Sequence, residues 1–430
     1  MNVEIGIYGL VALVILLALR LPVAITLISV SLVGMTSMFG WDTSISMLSS
    51  VPYDFLARWT LSAIPMFLMM GFICYHTGLT AGLFKAAKVF FRWLPGGLAV
   101  SGILGSTGFA AVSGSSVACA ASMGRIAIPE MIKSGYKPSF ACGSIAAGGT
   151  IGALIPPSIL MIVYGVFAQV SITKLFIGGI SVGLLTALGY IITVVLVSIF
   201  RPDIAPRVST DVDDIGVLEA FKEILPTTCL GVFIFGGMFS GLFTATEAGA
   251  VGVIGAILIS LAMRKLTIQA FKESMVDTLG TTASLLIIGV GASMFTVFLS
   301  LSGLSSSILG FVNTWDPSYL QLMFMLVIIY LVLGLFMEPF GAMLVTLPMF
   351  LPILQGMDIN LIWFGIFLVK MLEMGMITPP VGMNIFVIKG VVGDVVSLTD
   401  IFKGVLVFLI FDLLLVALIV LVPSVVLFIW

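Results

Sequence analysis

A chain of 430 residues that is 60% hydrophobic and 9% charged, with mean hydropathy +1.28, carries more apolar side chain than a water-soluble globule can bury. The composition excludes a soluble protein and specifies an all-α polytopic membrane protein. A net charge of −2 suggests no nucleic-acid partner, and in a membrane protein the placement of Lys and Arg matters more than their sum.

Apolar runs predict helices near residues 5–19, 21–40 and 60–77. The first has no positive flank in Met1-Asn2-Val3-Glu4, so it reads as a retained membrane helix and not as a signal peptide. Leu83 to Pro95, with Lys85, Lys88 and Arg92, is an amphipathic stretch expected to lie along the interface. Residues 97–132 are apolar but split by Ser113-Gly114-Ser115-Ser116. That leaves arms of about 16 residues, short for a hydrocarbon core of about 30 Å at about 1.5 Å per residue, and predicts a re-entrant helical hairpin. A broken helix follows at 138–165, because the glycines at 148, 149 and 152 and the pair Pro156-Pro157 interrupt it, and then a long helix at 174–200. Cys74, Cys119, Cys142 and Cys229 have neither metal-ligand nor CxxC spacing and are read as packing residues.

The polar stretch Arg201 to Lys222 begins a linker, 201–223, between repeat one (1–200) and repeat two (224–430). The second half is expected to hold helices near 225–242, 247–263 and 278–301, a hairpin at 320–357, a broken helix at 361–388 and a last helix at 404–428. Pro129, Gly152, Pro156 and Pro157 recur as Pro352, Gly375, Pro379 and Pro380, 223 residues on without a gap, and Thr77-Gly78-Leu79-Thr80 recurs as Ser302-Gly303-Leu304-Ser305. Collinear matches at nearly one offset mark an internal duplication. Interrupted hydrophobic segments at matching places in two halves are the signature of a secondary transporter and point to its binding site.

If the hairpins do not cross, fourteen cations fall on one side, among them Arg20, Lys85, Lys133, Lys137, Arg201, Arg207, Lys222, Arg264, Lys389 and Lys403, leaving Arg58 and Lys174 on the other. The positive-inside rule makes the first side cytoplasmic, which inverts the two repeats and puts both termini outside.

Each tip is expected to face the break of its own repeat. Free carbonyls and hydroxyls there suit Na⁺, and helix N-termini suit a carboxylate. The candidates for Na⁺ are Ser113, Gly114, Gly148, Thr150 and Gly152 in the first half and Gly334, Glu338, Gly375, Thr378 and Pro379 in the second. For the substrate they are Arg125, Ser115, Ser116 and Gly341. A charge such as Arg125 in the second arm costs at least about 2.5 kcal/mol at the bilayer centre unless paired or wet, which marks it as a substrate or counter-ion site, the alternative being that it snorkels to the cytoplasmic mouth near Pro129. Glu338, Glu247 and Glu373 are the other intramembrane acids; Glu373 and Lys370, three residues apart, are expected to neutralise each other. Asp412 has no evident partner, and the single histidine, His76, reads as a polar helix terminus. No HExxH or P-loop occurs, so the chain is not expected to be an enzyme or to hydrolyse ATP.

The segments SGSSVACAASMGRIAIPEM, GGTIGALIPPS, TATEAGAVG and MGMITPPVGMNIFV, in this order and inside the duplication, resemble the large membrane subunit of tripartite ATP-independent periplasmic (TRAP) transporters. Among these the general likeness is greatest to importers of sialic acid. The resemblance implies a Na⁺-coupled, elevator-type importer in the bacterial inner membrane, in which hairpins and broken helices move against a scaffold. It also implies two partners, a small four-helix membrane subunit, here a separate chain, and a soluble periplasmic binding protein that delivers an organic carboxylate. Arg125 would then meet that carboxylate, and Glu338-Pro339 stands where the family's second tip usually has a Ser or Thr pair. A stand-alone Na⁺/dicarboxylate symporter and a TRAP importer of C4-dicarboxylates are the alternatives, distinguished by whether uptake needs the binding protein and by which acid is taken. An intramembrane enzyme is a more distant rival, lacking a nucleophile with a base.

Overall fold

The structure, a computed structural model, describes residues 2–206 and 216–427; Arg207 and part of the expected linker lie outside them. All regular structure among the described residues is helical. The first half contains α1 (Val3–Ala18), α2 (Val23–Phe39), α3 (Trp41–Leu56), α4 (Ala63–His76), α5 (Ala81–Phe91), α6 (Gly97–Ser113), α7 (Ser116–Lys133), α8 (Pro138–Thr150), α9 (Ile159–Ala168) and α10 (Ile172–Phe200). The second contains α11 (Val217–Phe239), α12 (Ala245–Ala262), α13 (Ile268–Ser302), α14 (Leu304–Trp315), α15 (Tyr319–Gly334), α16 (Pro339–Gly356), α17 (Leu361–Gly375), α18 (Met383–Val392) and α19 (Leu398–Leu421).

Six helical segments among the described residues are long and apolar enough to cross a bilayer, including α10, α12, α13 and α19. The pairs α6–α7 and α15–α16 stand where hairpins are predicted, with arms of 17, 18, 16 and 18 residues. The arm α16 meets the length for a span, so length alone does not separate a re-entrant arm from a crossing one. Two helices escape the apolar-run reading: α3, which contains Asp42, four serines, Pro52 and Asp54, and α14, with three consecutive serines.

Helices α1, α2, α3, α4, α12 and α13 pack on one another, with α13 against α2, α3 and α4. The interrupted elements form the other body, and they exchange halves: α18 of the second broken helix lies on α7 and α8, while α9 of the first lies on α16 and α17. Helix α19 crosses α8 so closely that a Cβ on Gly404 would stand 1.9 Å from the Ser139 carbonyl oxygen. At one end of the bundle His76 meets Asp277 at 2.8 Å, and the Lys137 N–H donates to the Ile204 carbonyl at 2.9 Å. At the other, Arg58 donates to the Val166 carbonyl at 3.2 Å and Tyr319 to that of Val420 at 3.1 Å. Glu247 is exposed at the start of α12, where it accepts from the Thr244 N–H at 2.8 Å in a capping box.

Candidate functional site

The first tip is two residues long. Gly114 ends α6 with φ +63°, and a Cβ there would lie 2.1 Å from the Pro157 carbonyl oxygen, so only glycine allows the tip to seat on the break. Ser115 then caps α7, accepting from the Ala118 N–H at 3.4 Å. On the opposing side α8 stops at Thr150, a single 3₁₀ turn covers Ile151–Ala153, the Pro156–Pro157 peptide is cis, and Ser158 caps α9. Gly152 faces Ser115 with 3.0 Å between its would-be Cβ and the Ser115 carbonyl. In the second half Gly334 and Gly375 touch backbone to backbone, a Cβ on either falling 2.8 Å from the other's Cα. Pro379–Pro380 is cis, and Glu338 occupies the N-cap of α16 without making a capping bond.

Both tips border one cavity of about 530 Å³, within the usual range of about 300–1,000 Å³ for small-molecule sites. The first turns of four helices line it: Ser115 to Ala118 of α7, Ile159 and Leu160 of α9, Glu338 to Phe340 of α16, and Met383 of α18. Helices α4 and α13 close the far wall with Tyr75, Thr281 and Ser284. Two carboxyl groups, Glu338 and Glu373, border it, and no Lys or Arg does among the described residues. Each helix N-terminus carries about half a positive elementary charge on free N–H groups, so the positive character of this cavity comes from backbone.

The predicted site residues divide. Ser115, Ser116, Gly114 and Glu338 line the cavity. Ser113 lies just behind the tip, buried, with an Oγ that has no hydrogen-bond partner. Gly148 packs against Ser106, whose Oγ is likewise without a partner. The Thr150 hydroxyl turns away from the tip toward Tyr190 at 3.2 Å. The Thr378 hydroxyl is spent on the Met374 carbonyl at 2.7 Å. Gly341 lies against Val23 of α2 and does not line the cavity. Arg125 is exposed on α7 outside the cavity, one turn beyond Ala121 on the same helix face.

The i, i+3 spacing misled on Lys370. Its ammonium pairs with Asp412 at 2.5 Å, while Glu373 accepts from the Ser116 hydroxyl at 2.5 Å. The C-terminal end of α17 sends the two side chains to different neighbours, Lys370 to α19 and Glu373 to the α7 tip, so the two do not pair directly. Asn384, buried at the start of α18, donates to the Ala146 carbonyl at 3.4 Å and leaves Oδ1 without a partner; only its place just after a Pro-Pro break could have flagged it.

Interrupted helices that bring their N-termini to a shared cavity, within an all-helical and apolar bundle, define a membrane transporter for small solutes. The family described as tripartite ATP-independent periplasmic transporter, DctM component, matches residues 10–425, and the chain belongs to it. The C4-dicarboxylate TRAP transporter large permease protein DctM of Pseudomonas aeruginosa is 36% identical over 340 residues, 78% of each chain. The sialic acid TRAP transporter large permease protein SiaM of Vibrio cholerae is 30% identical over 382 residues, 88% of each. The fold is that of the YdaH transporter of Alcanivorax borkumensis, with TM-score 0.63 over 95% of this chain and 98% of that one at 13% identity.

Proposed function

We propose that this large permease imports an organic carboxylate together with Na⁺, by an elevator motion of the hairpins and broken helices against α4 and α13. The observation that carries the reading is the convergence of four helix first turns on one cavity that no basic side chain among the described residues lines. A carboxylate there gains from each N-terminus about 0.3–2 kcal/mol. It also meets the carboxyl groups of Glu338 and Glu373, which in their ionised form repel it in a partly dry site. A cation that enters with the substrate removes that repulsion, which gives co-transport an electrostatic reason. The buried oxygens of Ser106, Ser113 and Asn384 without partners, with the carbonyls of Gly148, Thr150 and Gly152 at one break and of Gly334, Gly375 and Pro379 at the other, are the hard ligands that Na⁺ takes. Arg125 lies on the exit side of the same α7 face, and we assign it to the carboxylate as it leaves the cavity.

Sialic acid is the first candidate substrate, since Tyr75, Thr281 and Ser284 face Ser115 and Ser116 across the cavity and suit a polyhydroxylated acid; a C4-dicarboxylate is the second. In this reading the permease sits in the inner membrane with both termini periplasmic, works with a small membrane subunit, and receives substrate from a periplasmic binding protein. The test is uptake into proteoliposomes that contain both membrane subunits, with binding protein added or withheld and sialic acid compared with C4-dicarboxylates. Uptake should require Na⁺ and the binding protein. Uptake driven by a proton gradient in Na⁺-free buffer would overturn the ion assignment, and uptake without the binding protein would make the protein a stand-alone symporter.

A further inference from the structure

A buried polar chain lies behind the first break, and neither the cavity nor the sequence motifs account for it. Lys370 of α17 and Asp412 of α19 are both fully buried, with Nζ 2.5 Å from Oδ1. Tyr190 of α10 donates to Asp412 Oδ2 at 2.8 Å, and its oxygen lies 3.2 Å from Thr150 Oγ1 at the end of α8. Thr186 stands 3.5 Å from the Lys370 ammonium. Tyr190 and Asp412 are 222 residues apart, close to the spacing of the two repeats, so equivalent places in the last helix of each half meet each other.

An apolar pair of similar volume commonly replaces a buried ion pair without loss of stability, so this one is better explained by what it orients. A phenol has one proton and a threonine hydroxyl has one. With the Tyr190 proton committed to the Asp412 carboxylate, only the Thr150 proton can serve the contact between the two hydroxyls. That same hydroxyl donates to the Ala147 carbonyl, with Oγ1 2.7 Å from its oxygen. The charge on Asp412 therefore sets the direction of the tyrosine hydroxyl, and the tyrosine oxygen competes with Ala147 for the threonine proton. The affected carbonyls belong to the last turn of α8, where the regular α-helical bonding ends and the Ile151 N–H is shared between the Gly148 and Gly149 carbonyls.

We propose that Lys370, Asp412 and Tyr190 are positioning residues for the first Na⁺ site, holding the Thr150 turn so that its carbonyls face the ion. This rests on the Na⁺-coupled reading given above. The test uses the two-subunit complex and reads two quantities, Na⁺-activated uptake with the binding protein and the rise in thermal unfolding temperature with Na⁺ at constant ionic strength. Tyr190→Phe keeps the ring against Phe408 and Phe411 and removes only the hydroxyl. It should raise half-saturating Na⁺ about fivefold in both readouts, the weight of about one neutral hydrogen bond, with substrate half-saturation at saturating Na⁺ and the maximal rate within about twofold of wild type. The double variant Lys370→Met with Asp412→Leu should give the same shift, and adding Tyr190→Phe to it should add nothing. Lys370→Met alone leaves a buried carboxylate without its partner and should lower the amount of folded protein. If the wild type responds to Na⁺ but Tyr190→Phe and the double variant leave half-saturating Na⁺ unchanged, the positioning role is wrong and the chain only packs helices. If the wild type shows no Na⁺ response in either readout, the Na⁺-coupled reading itself fails and this proposal with it.

Discussion

The two breaks share a Pro-Pro pair at matching places, yet they sit in opposite surroundings. Ile151 to Ser158 of the first break are buried throughout, sealed by the Gly114–Ser115 tip. At the second, Thr378 and Pro379 are half-buried, Pro380 and Val381 are exposed, and the tip is a longer turn that ends in Glu338. A duplicated motif thus fixes where the backbone leaves the helix but not what covers it. Coverage depends on the exchanged halves, and α18 and α19 press on the first break's side of the molecule more closely than α9 does on the second. The first break is built as a rigid seat, the second as an open edge.

The largest test of that contrast is Gly114→Ala. Its Cβ would collide with the Pro157 carbonyl at 2.1 Å on a left-handed φ, where strain alone costs about 1–3 kcal/mol. Uptake per folded complex should fall at least about tenfold, and thermal stability should fall with it. Gly341→Ala, whose Cβ meets only side-chain atoms, of Val23 at 3.1 Å and Met337 at 3.4 Å, should keep most of both. Equal behaviour of the two variants would break the picture of a tip seated on backbone.

A second contrast is between the acids. Glu373 is buried and held by the Ser116 hydroxyl at 2.5 Å, so removing either partner leaves a buried polar group unpaired at about 1–3 kcal/mol, whereas Glu338 makes no capping bond. Glu373→Gln and Ser116→Ala should each reduce uptake about ten- to a hundredfold, and Glu338→Gln only about two- to fivefold. The reverse ranking, measured as initial rates in proteoliposomes, would shift the functional weight to the open break.

Much of this was legible in the residues. Gly114, Gly152, Gly334 and Gly375 announce non-helical or closely packed backbone, and the structure puts each of them at a tip or break contact. The helices α3 and α14 were not legible, because serines and acids dilute their apolar stripe below what a membrane segment shows. The partner of Asp412 was hidden for a different reason. Lys370 lies 42 residues upstream on another helix, and spacing along one helix pointed to the nearer Glu373. Arg125 illustrates the limit of reading charge from depth alone: its helix face is the one the cavity uses, but the cavity ends a turn earlier.

The smallest expected effect follows from that placement. With helix N-termini carrying recognition inside the cavity, Arg125→Ala should slow uptake about threefold and Arg125→Lys less, as removal of a flanking charge does. Near-complete loss in both would return the carboxylate contact to the guanidinium.

The most direct measurement of the central claim is competition against labelled-substrate uptake by the unlabelled acid and by its neutral amide, in wild type and in Arg125→Ala. If four helix N-termini hold the carboxylate, the acid should outcompete the amide by a similar factor in both proteins. If discrimination collapses in Arg125→Ala, the backbone cavity is not what recognises the charge.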